Sequence, residues 1–167
     1  MKKILIIVIT FLGFLLQCSV FPRISLGGIV PNLMVFFVSV YGILYGERYG
    51  MVIGFVCGLV MDIFFLDFIG LNALILLYLG YLNGQFCGMF YPEDVRLPMG
   101  LILLSDLSYG ILFYIFEFLM RGKLNFPYYL GHVILPEMLY TILAGLILYP
   151  ILLGLYKIFE KRENRSN

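Results

Sequence analysis

No charged residue interrupts the chain from Ile4 to Phe21, a stretch that as an α-helix would extend roughly 27 Å, close to the hydrocarbon thickness of about 30 Å. Comparable apolar runs recur to the end of the sequence. They are continuous rather than alternating, which excludes a closed β-barrel and leaves helices as the spanning element. Composition agrees: 62% of the 167 residues are hydrophobic and 13% charged, against roughly 45–50% and about 25% in ordinary globular domains. A net charge of +1 provides no basic field for nucleic acid, so nucleic-acid partners are discarded.

Breaks at Pro22-Arg23, Gly46-Glu47-Arg48, Leu66-Asp67-Phe68, Tyr91 to Arg96, Arg121 to Pro127 and from Lys157 onward divide residues 1–167 into six spans of one integral membrane domain. Their expected limits are 4–21, 31–45, 50–65, 70–90, 98–120 and 136–156, with a basic tail over 157–167. The expected fold is an all-α polytopic bundle of about six transmembrane helices. At about 22 Å the second and third spans are short, so they must extend past these limits or thin the bilayer; a re-entrant hairpin is the alternative. Phe126 to Leu135 reads as a broken interfacial segment, and with no tryptophan the aromatic belt falls to tyrosines such as Tyr45, Tyr49 and Tyr156. Met1 to Cys18 has the outline of a lipoprotein signal, but Gln17 stands where a small residue belongs, so the stretch reads as a retained span. With both termini inside, Lys2, Lys3, Arg48, Arg96, Lys157, Lys161, Arg162 and Arg165 lie inside and Arg23, Arg121 and Lys123 outside. That distribution favours cytoplasmic termini.

Ionisable groups within spans are expensive and therefore informative. Glu117 precedes Arg121 by four residues, an ion-pair spacing. Glu137 follows Pro136, a combination suited to a helix start. Asp106 lies deep in the fifth span between Ser105 and Ser108. Asp62 ends a four-residue series, Gly46, Gly50, Gly54, Gly58, Asp62, of which Gly54, Gly58 and Asp62 share a face best. Gly80, Gly84 and Gly88 form a shorter series. Such small-residue ridges let backbones approach in lipid, either within the bundle or against another membrane protein. Gly50, Gly54, Gly58, Asp62, Gly80, Gly84 and Gly88 are therefore candidate docking residues, and Asn32, Asn72, Asp106 and Glu137 candidate intramembrane polar residues. Catalytic patterns are missing: His132 has no H-E-x-x-H partner, no Gly-x-Ser-x-Gly occurs, and Cys18, Cys57 and Cys87 are isolated. The expectation is a non-enzyme without cofactor or metal.

Pro31-Asn32-Leu33, Tyr45-Gly46-x-x-x-Gly50, Gly54-x-x-x-Gly58-x-x-x-Asp62, Gly70-Leu71-Asn72-Ala73-Leu74, Leu135-Pro136 and Tyr149-Pro150 resemble, in order and spacing, the rod shape-determining protein MreD family. Glu137 departs from the apolar residue expected after Pro136. The resemblance implies a bacterial inner-membrane scaffold of lateral cell-wall growth, with MreC, the actin-like MreB filament, RodA and a class B penicillin-binding transpeptidase as partners, and no catalytic residue. That family is similar to the substrate-binding S components of energy-coupling-factor vitamin transporters, which supplies the alternative function. Those proteins dock through an Ala-x-x-x-Ala face on the first helix, whereas this chain has only Ala73 and Ala144.

Overall fold

The computed structural model describes residues 2–25, 28–66, 69–89, 95–121 and 126–166. Its helices are α1 (Lys2–Ser19), α2 (Phe21–Ile24), α3 (Leu33–Tyr45), α4 (Glu47–Phe65), α5 (Leu71–Gln85), α6 (Arg96–Arg121), α7 (Phe126–Tyr129) and α8 (Leu135–Ser166), with a π-helical turn over Leu130–Ile134 joining the last two. The chain is thus an all-α polytopic membrane protein. Among the described residues, four helical stretches are long and apolar enough to cross a bilayer: Ile4–Arg23, Glu47–Phe65, Arg96–Phe116 and Phe126–Ile158.

The short helix α3 is the centre of the bundle. Every residue from Leu33 to Leu44 is buried, because α1, α4, α5, α6 and α8 all pack on it. An apolar helix surrounded on all sides needs no polar face, which is why its sequence shows no amphipathic period. At 13 residues it rises about 20 Å and does not match the thickness of the hydrocarbon. The bilayer is not its main neighbour, so it need not. The third span does run past its expected start, to Glu47.

Two expectations require correction. The fourth span, expected to reach residue 90, leaves the helix after Gln85 and turns through Phe86 to Gly88; Gly88 has φ +89°, a left-handed conformation in which glycine ends a helical segment without the Cβ penalty. The helical stretch that carries the last expected span begins well before Pro136. Backbone from Phe126 onward is helical, and the π turn delivers the Leu135 N–H to the Leu130 carbonyl. A proline inside an α-helix lacks its N–H and clashes with the carbonyl four residues back. The wider π turn directly before Pro136 accommodates both effects, so the segment read as broken is continuous.

Ring contacts fix which ends coincide. Tyr45 meets Tyr49 at 5.8 Å and Tyr156 at 5.2 Å between centroids, placing the α3–α4 turn beside the end of the apolar part of α8. Ile6 and Ile7 share a groove with Arg48 and Tyr49, while Phe14 meets Phe64 at 5.4 Å; α1 and α4 therefore run parallel. Ser105 of α6 pairs with Asn83 late in α5, and Tyr109 with Asn72 early in α5, so α6 runs antiparallel to α5. The starts of α1, α4 and α6 and the basic end of α8 consequently lie at one end of the bundle.

Candidate functional site: a glycine seam and two buried helix starts

Without a hydrophobic effect to drive association in lipid, helices gain by close backbone contact. The glycines of α4 and α5 supply it to each other. A Cβ at Gly50 would strike the Gly80 carbonyl, one at Gly54 the Leu76 carbonyl, and one at Gly58 the backbone of Ala73. Reciprocally, a Cβ at Gly80 would strike the Gly50 carbonyl, and one at Gly84 the backbone of Glu47. Gly50, Gly54, Gly58, Gly80 and Gly84 thus form one seam inside the chain. Gly50 belongs to it, although helical geometry alone put it off the face of Gly54 and Gly58. A ridge drifting about 40° per four residues stays in contact when its partner helix winds with it. Gly88 does not join; nothing lies within 4 Å of a Cβ placed there. Gly42 of α3, which the four-residue series did not single out, closes the seam from the third side, where a Cβ would lie 2.8 Å from the Gly80 carbonyl.

Helices α3 and α5 begin inside the bundle, and each is capped by one of the candidate side chains. For α3 this is Asn32, whose Oδ1 accepts from the Val35 N–H at 3.2 Å. The Asn32 N–H donates to Thr141 Oγ1 at 3.0 Å, and Gln17 Oε1 accepts from the Met34 N–H at 3.3 Å. For α5 the cap comes from a different helix. Gly70 occupies the N-cap position with no side chain to offer, at φ +122°. The fully buried Asp62 reaches across from the end of α4 and accepts from Gly70 N–H at 2.8 Å, Asn72 N–H at 3.0 Å and Ala73 N–H at 3.2 Å. These are the orphan donors of a helix start, and non-helical backbone at membrane depth is tolerated only where protein satisfies it.

Asn72 accepts at Oδ1 from the Tyr109 hydroxyl at 2.8 Å. Asn83, absent from the sequence candidates, donates from Nδ2 to Ser105 Oγ at 2.7 Å, Ser39 Oγ at 3.3 Å and the Leu79 carbonyl at 2.8 Å. It links α3, α5 and α6. Asp106 is buried with neither oxygen hydrogen-bonded. The Thr141 hydroxyl stands beside it and donates to the Glu137 carbonyl at 2.9 Å. The Glu137 side chain lies near both Asp106 and the Asn32 side chain. Glu137 is therefore two residues into α8, as far from the start of the continuous helix at Phe126 as three turns, and faces the cap of α3.

The side chains of Glu117 and Arg121 lie outside the described residues. His132 stacks on Tyr128 at 4.2 Å near the surface. Cys87 is exposed in the turn after α5, Cys57 is buried and Cys18 partly so. Among the described residues no group of three or more His, Cys, Asp or Glu could hold a metal ion.

The family model for the rod shape-determining protein MreD matches residues 1–159. The chain belongs to the MreD family. No curated protein and no solved structure matches it. Membership gives the chain a role in rod shape determination, and the family resemblance in its sequence acquires a physical content from the geometry above. Pro31-Asn32-Leu33 is the capped start of α3, Gly54-x-x-x-Gly58-x-x-x-Asp62 is seam plus cap donor, and Gly70-Leu71-Asn72-Ala73 is the helix start that Asp62 holds.

Proposed function

We propose that this protein is a non-catalytic membrane scaffold of the bacterial cell-wall elongation machinery, seated in the cytoplasmic membrane with both termini inside, which binds MreC and through it connects MreB, RodA and a class B penicillin-binding transpeptidase. The observation that carries this reading is the family match over residues 1–159. Four of the buried polar groups support it: Asn32, Asp62, Asn72 and Asn83 are engaged in helix starts and interhelical contacts. Because Gly54 and Gly58 face α5, a partner helix must dock on another surface, and the outward faces of α1, α4, α5, α6 and α8 carry exposed apolar residues for it.

Affinity-tagged protein expressed in a rod-shaped bacterium lacking its own MreD family member tests the proposal. Rod shape should be restored, and MreC should co-purify from mild detergent at near-equal amounts. Restored shape without MreC in the purified material would overturn the partner assignment; failure to restore shape despite normal membrane levels would overturn the scaffold reading in that host.

A further inference from the structure

α1 is joined to the bundle from its middle onward but stands away from α4 towards its start. Gly13 presses on the Phe37 ring of α3, and Phe14 meets Phe64 and Phe65 at 5.4 and 6.2 Å. Towards the starts of the two helices the walls part, leaving a groove of about 280 Å³. Ile7, Thr10 and Phe11 form one wall and Val52, Val56 and Val60 the other. Thr10 adds no polarity, since its hydroxyl donates to the Ile6 carbonyl at 2.7 Å. The groove continues past Ile6 and Ile53 into a second compartment that opens at Arg48 and Tyr49, both exposed.

We propose that this groove holds one acyl chain of an anionic phospholipid whose phosphate pairs with Arg48. Length, width and charge each favour that occupant. From Arg48 to Val60 is 12 residues, about 18 Å along α4, close to the roughly 15 Å depth of one leaflet's hydrocarbon. The cluster of Phe14, Phe64 and Phe65 stoppers the far end, so the groove serves a single leaflet. An extended hydrocarbon chain is thin enough to lie between walls that leave about 280 Å³ in the deeper compartment. At the mouth, the guanidinium offers paired donors matched to a phosphate, and Tyr49 lies at the level where tyrosine favours the membrane interface. Glu47 does not cancel this charge, because neighbouring residues point about 100° apart on a helix and the Glu47 backbone is turned to Gly84 of α5.

Native mass spectrometry of the full-length protein, released from bilayers containing equal phosphatidylglycerol and phosphatidylcholine, tests this. One phosphatidylglycerol per chain should be retained, with a preference of about fivefold over phosphatidylcholine, as expected for one Arg at an anionic surface. Arg48→Gln, an exposed substitution, should abolish the preference while still retaining a lipid; Val56→Phe, which fills the groove from its exposed wall, should lose retention of both. Equal retention of the two lipids by the wild type, or an undiminished preference in Arg48→Gln, would overturn the proposal. So would a photo-crosslinker at Val56 that captures a protein in cells instead of a phospholipid.

Discussion

Asp62 shows most plainly how one residue's role depends on what lies near it in space. In the sequence it is the last member of a four-residue series and invites a reading as part of a docking ridge; in the fold it accepts three backbone N–H bonds from the start of the next helix. Its donors lie 8 to 11 residues downstream, beyond the reach of any local capping pattern, so the sequence offered no signal beyond the glycine at position 70, a cap that cannot cap. Two substitutions separate charge from acceptor count. Asp62→Asn keeps one oxygen but turns an NH2 towards at least one N–H, and should destabilise by about 1–2 kcal/mol; Asp62→Ala leaves all three donors without a partner and should cost roughly 3 kcal/mol or more. Unfolding in mild detergent measures both. Wild-type stability in Asp62→Ala would mean that these bonds contribute nothing. The start of α3 allows the same test from the acceptor's side. Thr141→Val preserves the shape of the side chain and removes the acceptor of the Asn32 N–H; a loss of about 1–3 kcal/mol is expected for the buried donor left unpaired, and an unchanged midpoint would mean that this bond contributes nothing.

At the scale of elements, the seam between α4 and α5 makes a stronger demand than small residues in general. Because a Cβ at Gly54 or Gly58 would meet backbone rather than a movable side chain, even alanine is too large. Gly54→Ala and Gly58→Ala should each destabilise by about 1–3 kcal/mol or more through overpacking, and the leucine variants should give protease-sensitive protein. Gly100→Ala on α6, where a Cβ meets nothing within 4 Å, should be neutral or stabilising by up to about 1 kcal/mol; if it falls as far as Gly54→Ala, proteolysis and thermal unfolding are reporting something other than the seam. Helix existence was readable because each long apolar run is a strong signal, and so were the glycine series of α4 and α5. What the runs do not contain is which helix goes in the middle. The burial of α3 on every side, the part played by Gly42 and the bond from Asn83 to Ser39 and Ser105 all depend on contacts between distant segments. The continuous helix through Phe126 to Leu135 was missed for a different reason. Prolines at 127 and 136 and glycine at 131 read as breaks under rules for α-helices, and a π turn escapes those rules by changing the hydrogen-bond partner.

For the whole molecule, the charge pattern along the sequence and the geometry of the bundle converge on one arrangement. Arg48 at the start of α4, Arg96 at the start of α6 and Lys157 and Lys161 late in α8 lie towards the same end as the start of α1, and the Lys and Arg excess at that end supports the proposal that it faces the cytoplasm. The alternative function as a substrate-binding transporter component predicts that a vitamin at about a hundredfold its dissociation constant stabilises the protein by about 2.7 kcal/mol; no such shift is expected across a vitamin panel. Orientation is tested with single cysteines introduced into a variant lacking Cys18, Cys57 and Cys87, using a membrane-impermeant reagent on intact cells. Lys123→Cys, in the connection between α6 and α7, should be labelled from outside, whereas Arg96→Cys and Lys161→Cys should react only after the membrane is opened. Labelling of Lys161→Cys but not Lys123→Cys in intact cells would invert the molecule, and labelling of Arg96→Cys with Lys161→Cys protected would place α6 and α8 at opposite ends, against the antiparallel pairing that Asn83, Tyr109 and the tyrosine contacts define. Either result would move Arg48 to a different leaflet or a different depth, so the labelling pattern also decides which leaflet supplies the lipid for the groove between α1 and α4.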